Sequence, residues 1–345
     1  MDAPLHIATA ADGGYLPGLE VLVCSTLLQV RRDCEVHFHV IDGGISSEGW
    51  GRLERHATRF HPKAFVHRLS FQKERFAHLP NMKGNHLTYA RLLLGECFPA
   101  LDRIVYLDSD ILVGRDVVEL RDLDLQGRTM LAAGDVIIST LAGDCPWLPA
   151  EESEAFRYFN AGVVVIDLAR WRQKNYQESC LSALASQGAN CRFHDQTVMN
   201  YILRHDVAFL DQYWNQIVFA SDQLPVEPAI FHLIGRKPWS IQTPRFDHYL
   251  WRAFYEDMIE PGCSWAADSS LGRKLFVHFY RWPATRWVLR LAIAIQIIFI
   301  KQQHKKSGYR ETLRQGYSDF SRLPLIRAGW NRRCHELGIA PLRGE

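Results

Sequence analysis

The run Ile104-Val105-Tyr106-Leu107-Asp108-Ser109-Asp110-Ile111-Leu112-Val113 places two carboxylates between apolar stretches that read as one strand crossing a core. Desolvating an unpaired carboxylate is costly, and a second like charge at short range pushes one of the pair toward its neutral form. Alternate residues of a strand share a face, so one divalent cation held by Asp108 and Asp110 would remove both penalties. Such an ion can hold and neutralise a diphosphate. An Asp-x-Asp pair in a surface loop would carry no such meaning; its place in an apolar strand does. The residues that follow, Ile111 and Leu112, lack the hydroxyl of the DxDxT phosphatase nucleophile motif.

The rest of the first half alternates strands with helices. Strands are expected at His6 to Ala10, Val36 to Ile41, Ala64 to Leu69 and Arg103 to Val113. Helices are expected at Leu16 to Val30, Ser47 to Phe60 and Thr88 to Phe98. That order predicts an α/β fold with a mostly parallel sheet covered on both faces, and ligands at the carboxyl ends of its strands. Asp12-Gly13-Gly14 and Asp108-Ser109-Asp110 both fall at such ends. The second half predicts a strand over Leu131 to Ala133 ending at Asp135, then a loop to about Ala155. Phe159 to Ile166, a helix from Ala169 to Gln187, a helix from Gln196 to Arg204 and a last strand from Ala229 to Ile234 complete the pattern.

Charge divides the chain. From Arg273 onward there are fifteen Lys or Arg against four Asp or Glu, a net +11, so with a total of +2 the first 272 residues carry −9. The tail also holds Trp282, Trp287 and the apolar run Leu291 to Ile300, interleaved with Arg281, Arg286, Arg290 and Lys301. Ten residues, nine of them apolar, are about half of a bilayer crossing, so the expectation is an amphipathic segment lying on an anionic membrane. Residues 1–272 are read as the catalytic domain and 273–345 as the membrane-association region. The acidic body and the lack of any recognised module argue against nucleic acid. The eight cysteines form no CxxC pair, and Met1-Asp2-Ala3-Pro4 opens no secretory signal, so free thiols in a reducing cytosol are expected.

Six motifs in order make the chain resemble glycosyltransferase family 8, the retaining GT-A enzymes that include bacterial lipooligosaccharide galactosyltransferases. They are Ala10-Ala11-Asp12; Thr88-Tyr89-Ala90-Arg91-Leu92; Tyr106 to Asp110; Phe159-Asn160-Ala161-Gly162-Val163; Asp195-Gln196; and His232 with Gly235 and Lys237-Pro238-Trp239. The resemblance implies a GT-A fold over about His6 to Trp239 and a Mn²⁺ site of Asp108, Asp110 and His232, with Mg²⁺ the alternative ion. Mixed carboxylate and imidazole ligation suits Mn²⁺. It further implies that Ala10, Asp12 and Ser109 contact the nucleotide, and that Gly235 and Lys237 approach the diphosphate. Arg91, Asp135 and Asp195 would hold the donor sugar, Asn160, Ala161 and Gly162 would line its pocket, and Gln196 would sit beneath the anomeric carbon. Two departures stand out: Gly14 replaces a frequent asparagine, and the His232 to Lys237 spacing is one residue short.

The implied reaction moves galactose or glucose from a UDP-hexose to a glycan or lipid-linked glycan on the cytoplasmic face of the membrane. Gln196 is a poor nucleophile, which favours same-face attack with the departing diphosphate accepting the proton. A metal-dependent sugar nucleotidyltransferase is the rival enzyme, although Asp12-Gly13-Gly14-Tyr15 has no Lys or Arg for its expected basic loop. A membrane-bound, non-catalytic sugar-binding module is the third reading.

Overall fold

The structure is a computed structural model that describes residues 3–81, 85–217, 228–235, 237–239, 246–261, 263 and 325–339. It divides into two compact units, one of residues 1–217 with 227–232, the other of residues 218–226 with 233–345. The domain boundary expected at 272/273 lies outside the described residues, as does the apolar run Leu291 to Ile300.

The first unit is built on a seven-stranded sheet. Its strands are β1 (Leu5–Ala11), β2 (Val36–Asp42), β3 (Ala64–Ser70), β4 (Arg103–Leu107), β6 (Met130–Gly134), β7 (Phe159–Asp167) and β8 (Val207–Leu210), in the spatial order β3-β2-β1-β4-β7-β6-β8. All neighbours run parallel except β7, which is antiparallel to both β4 and β6. The start of β7 therefore lies at the same edge as the ends of β1, β4 and β6. That edge collects Asp12, Asp108, Asp135 and Asn160. A second sheet of three strands, β5 (Ile111–Val113), β9 (Gln216–Ile217) and β10 (Ile230–His232), has β10 in the middle.

Helix α1 (Leu16–Gln29) is buried on nearly every side, consistent with a largely apolar sequence that includes the buried polar residues Glu20, Ser25 and Thr26. Its Ser25 Oγ accepts a hydrogen bond from Val113 N at 3.0 Å, which ties the helix to β5. Helix α2 (Ser47–Phe60) starts where Ser46 Oγ accepts from Gly49 N, and buries Trp50, Leu53, Ala57 and Phe60 along one stripe. Arg52 of α2 clamps the buried Glu20 of α1 with two hydrogen bonds, of 2.5 and 3.1 Å.

Three expectations change. The strand expected over Arg103 to Val113 is two strands in two sheets, broken at Asp108-Ser109-Asp110. The carboxylates thus sit in a turn at the sheet edge, where the chain changes layers, and not on one face of a continuous strand. The helix expected over Thr88 to Phe98 is a 3₁₀ segment, Leu87–Leu93, followed by one α turn, Leu94–Cys97. The helix expected over Ala169 to Gln187 breaks at Asn175, which adopts a left-handed φ of 51°, giving Leu168–Gln173 and Tyr176–Gln187. Strand β8 has no counterpart in the sequence reading; four residues at a sheet edge leave too short a pattern to detect.

In the second unit, the helix over residues 325–336 packs on the helix Phe246–Met258. Trp330 meets Phe254 edge to face at 5.1 Å, Arg327 pairs with Asp257, and the buried Cys334 lies against Met258. None of the described helices is long and apolar enough to cross a membrane. The eight cysteines are all free thiols, as expected.

One face of β1, β2 and β3 carries His6, His37, His39 and His67 as neighbours, with His6 opposite His37 and His39 opposite His67. Burial, then the neighbouring imidazoles His67, His6 and His37, hold His39 down at about 3; burial likewise lowers His6 and His67. Between pH 6.5 and 3 the unfolded chain therefore binds more protons at His39 than the folded one does. Stability is full above pH 6.5 and drains as the pH falls through that window. Urea unfolding should show a lower midpoint at pH 5 than at pH 7.5, and His39→Gln should narrow the gap; equal midpoints in the wild type would contradict this.

Candidate active site

The sheet edge brings together most of the residues singled out from the sequence. Asp108, Asp110 and His232 converge: one ligand atom from each lies within 4.8 Å of the other two, and among the described residues no other such group of three exists. His232 Nε2 is 3.3 Å from Asp110 Oδ1 and 3.7 Å from Asp108 Oδ2. The pairing of β10 with β5 sets His232 opposite Ile111, next to Asp110, which explains how residues 122 positions apart meet.

Asn215 explains which nitrogen of His232 faces the carboxylates. Its Oδ1 lies 3.0 Å from His232 Nδ1, so Nδ1–H donates and the Nε2 lone pair is left toward Asp108 and Asp110. Asn215 Nδ2 in turn donates to Asn160 Oδ1 at 2.8 Å. Gly162 completes the arrangement by being small: a Cβ there would stand 2.2 Å from His232 Cε1 and 2.7 Å from Nδ1. No side chain fits, so Gly162 makes room for the imidazole.

Arg91 joins the carboxylate pair to the next group. Its Nη2 donates to Asp108 Oδ1 at 2.8 Å and its Nη1 to the Ala161 carbonyl at 2.6 Å. Its Nε lies 2.8 Å from Asp195 Oδ2, an ion pair off the hydrogen-bonding angle. Burial opposes the guanidinium charge, but Asp108, Asp195 and Asp110 outweigh it and hold Arg91 firmly protonated. Tyr106, over whose ring Arg91 lies, donates its buried hydroxyl to Asp108 Oδ1 at 3.1 Å.

Thr88 Oγ1 donates to Asp195 Oδ1 from the other side. Side chains three apart eclipse in a 3₁₀ helix, so that geometry, and not the expected α-helix, aims both Thr88 and Arg91 at Asp195. Burial pushes the Asp195 carboxyl up, against the pull of Arg91 and Thr88.

Asp135 and Gln196 form a third group. Asp135 Oδ1 caps its loop by accepting from Ile137 N (2.7 Å) and Ile138 N (3.0 Å). Its Oδ2 accepts from Asn160 Nδ2 at 3.0 Å and Gln196 Nε2 at 3.3 Å, while Gln196 Oε1 accepts from Ala161 N at 3.0 Å. The Gln196 amide is thus held at both ends. It opens the helix Asp195–Ile202, entered through His194 at φ 47° and ψ −105°, a strained conformation for a side-chain-bearing residue that costs about 1–3 kcal/mol.

Asp12 Oδ1 accepts from Gly14 N (2.9 Å) and Tyr15 N (3.1 Å), capping a short 3₁₀ turn, and Asn85 Nδ2 donates to Oδ2 at 3.0 Å. Ala10 lies on β1 two residues before Asp12, and Ser109 is buried between the two carboxylates. Gly235 and Lys237 belong to the second unit, where Gly235 takes φ 77° and Lys237 Nζ donates to the Leu233 carbonyl at 3.1 Å.

Two residues escaped the sequence reading. Asn215 is fully buried yet stands between ordinary neighbours, Trp214 and Gln216. Asn200, four residues after Gln196 and on the same helix face, exchanges both amide hydrogen bonds with the Phe159 backbone (2.8 and 2.9 Å) and so ties that helix to β7. Its spacing from Gln196 was the available signal.

A mostly parallel sheet with a carboxylate–imidazole group at its carboxyl edge is the architecture of the GT-A fold. The chain belongs to glycosyl transferase family 8, whose sequence pattern matches residues 6–243. It is 28% identical to general stress protein A of Bacillus subtilis over 72% of this chain and 92% of that one. It is 26% identical to the lipopolysaccharide 1,2-glucosyltransferase of Escherichia coli over 80% of this chain and 83% of that one. It is 28% identical to the lipopolysaccharide 1,3-galactosyltransferase of Salmonella typhimurium over 68% and 72% respectively. The crystal structure of the galactosyltransferase LgtC, in complex with donor and acceptor sugar analogs, superimposes with a TM-score of 0.62. It is 25% identical and covers 72% of this chain and 94% of that one. The nucleotidyltransferase and sugar-binding-module readings give way to this membership.

If Asn215 fixes the His232 tautomer, Asn215→Ala should weaken binding of a divalent cation at this group, with Mn²⁺ as the probe, by roughly 10–100-fold, and Gly162→Ala, which displaces the ring, by at least as much. Isothermal titration of the folded variants with Mn²⁺ reads both; wild-type affinity in Asn215→Ala would remove the assignment.

Proposed function

We propose that this glycosyltransferase moves a hexose, galactose or glucose, from a UDP-sugar to a hydroxyl of a glycan or lipid-linked glycan, with retention at the anomeric carbon. The observation that carries this reading is the convergence of Asp108, Asp110 and His232 beside Arg91 and the Asp135–Gln196 pair. The lipopolysaccharide glucosyl- and galactosyltransferase relatives support a hexose donor and a lipid-linked acceptor.

The residues fit a divalent cation. Two carboxylates and one imidazole with its free lone pair inward are a donor set suited to Mn²⁺, and Gly162 leaves the imidazole its space. When bound, the ion would neutralise charge on the diphosphate. Ala10, Asp12 and Ser109 would meet the nucleotide, and Gly235 and Lys237 the diphosphate.

The chain's own groups do the rest. Arg91 holds Asp108 and Asp195 in place, so neither carboxylate must reorganise as charge develops. Asp195 and Asp135 would hold donor-sugar hydroxyls, with Asn160, Ala161 and Gly162 lining the pocket. Gln196 is a neutral amide pinned by Ala161 and Asp135, a poor nucleophile in a fixed position. That supports same-face attack, in which the leaving diphosphate takes the acceptor's proton while the Gln196 carbonyl dipole faces the cationic ring.

With Mn²⁺ and a panel of UDP-hexoses, the protein should release UDP in a reaction stopped by EDTA. Asp110→Asn should lower the rate at least 100-fold and Gln196→Ala less severely. Loss as complete in Gln196→Ala would favour a covalent role, and a donor panel left untouched would overturn the reading.

The tail is the basis for a second part of the proposal, attachment to the cytoplasmic face of an anionic membrane. Each Lys or Arg near such a surface contributes about 1 kcal/mol. Replacing Arg281, Arg286 and Arg290 by Gln should cut partition onto phosphatidylserine vesicles by roughly 100-fold, with donor hydrolysis retained. Unchanged partition would dismiss it.

A further inference from the structure

Asp144 is a carboxylate with no part in the reaction as drawn, yet only 4% of its surface is exposed. It lies in a small apolar cluster, Ile138, Leu141, Cys145 and Tyr158, distinct from the main core and built under the loop that leaves β6 at Asp135. That loop runs back along the approach to β7. Asp135 N donates to the Tyr158 carbonyl at 3.0 Å, Tyr158 N to the Ser139 carbonyl at 3.0 Å, and Leu141 N to the Phe156 carbonyl at 3.1 Å.

Asp144 Oδ2 accepts from two hydroxyls. Tyr158 Oη donates at 2.6 Å, from the residue just before β7 and two before Asn160. Thr197 Oγ1 donates from the first turn of the helix Asp195–Ile202. The same Thr197 oxygen accepts from Phe193 N at 3.0 Å, which closes a ring over His194, Asp195 and Gln196. The carboxylate thus joins three segments, and those three meet again at the Gln196 amide, which bonds Asp135 and Ala161. Burial pushes the Asp144 carboxyl up, against the pull of Thr197 and Tyr158. An acid raised on folding weakens the fold at neutral pH, where its charge is fully developed in the unfolded chain. An apolar residue of matched shape would carry no such cost. What the carboxylate supplies is position.

We propose that Asp144 is a positioning residue of the active site. Through Thr197 it holds the strained entry to the helix that presents Asp195 and Gln196, and through Tyr158 it holds the loop that presents Asp135. The inference rests on the part assigned to Gln196 in the proposed reaction. A backbone at φ 47° and ψ −105°, as at His194, persists only where its surroundings over-determine it. Without Asp144 one restraint on that bend is lost, and relaxation carries Gln196 with it. Misplacing a positioned group by about 1 Å can lower a rate about 100-fold.

The test compares Thr197→Ser, Thr197→Val and the triple variant Asp144→Leu/Tyr158→Phe/Thr197→Val in the full-length chain. The triple variant removes the carboxylate together with both hydroxyls it accepts from, so its thermal midpoint should stay near that of the wild type. Its kcat should nevertheless fall about 10–100-fold. Affinity for UDP with Mn²⁺, read by calorimetry, should be unchanged, because the groups proposed to bind them lie on other segments. Thr197→Ser keeps the hydroxyl and should retain the wild-type rate, whereas Thr197→Val should not; that pair carries the comparison if the triple variant does not fold. Amide hydrogen exchange over the first turn of the helix Asp195–Ile202 should quicken in Thr197→Val and in the triple variant. Wild-type kcat in those variants, a fall in kcat that only tracks the thermal midpoint, or unchanged exchange overturns the inference. If the wild type turns over no donor, the catalytic reading fails instead, and the exchange measurement alone decides whether Asp144 holds the helix.

Discussion

Two negative charges carried to the edge of a packed sheet must be compensated, and the arrangement around Asp108 and Asp110 is organised by that need. Arg91 supplies a full positive charge in direct contact with Asp108, and Tyr106 adds a hydroxyl. His232 stands on the other side with its lone pair inward, an arrangement that leaves net negative charge for a cation to complete. Without Arg91 the pair would be buried beside a third carboxylate, Asp195, whose own compensation comes from the same guanidinium.

The same logic of shared partners runs outward. His232, Asn215, Asn160, Asp135 and Gln196 form one continuous chain of hydrogen bonds, and Gln196 returns to the backbone at Ala161. Asn215, Asn160, Asp135 and Gln196 each have both ends of the side chain engaged, so none of these rotamers moves alone. A site that must meet developing charge without reorganising benefits from that rigidity. The strained His194 shows its cost: the backbone is forced so that Asp195 and Gln196 enter their helix at the required angle.

Much of this was legible in the chain. The positions of β1, β2 and β3 and the start of β4 follow from apolar runs in the first half, and α2 begins and ends where its Ser46 cap and apolar stripe place it. Asp108 and Asp110 stood out because carboxylates in an apolar run conflict with burial unless they have a partner, whereas His232 was reached only through the resemblance to the family. The misreadings share a cause. Apolar periodicity does not distinguish one long strand from two strands in different sheets, nor an α-helix from a 3₁₀ segment, because both keep the same residues inside. Asn215 was invisible for a related reason: a buried asparagine is marked by what it bonds, and its partners lie 17 and 55 positions away.

The sequence by itself determined the alternation of strands and helices, the acidic body and basic tail, and the residue types able to hold a cation and a sugar nucleotide. Those properties reside in composition and local pattern. Only the tertiary structure decided that the chain changes sheets between Leu107 and Ile111, that β7 runs against its neighbours to bring Asn160 to the right edge, and that Gly162 exists to admit an imidazole. These depend on atoms from segments far apart in the chain competing for the same few ångströms, which no local pattern of residues encodes.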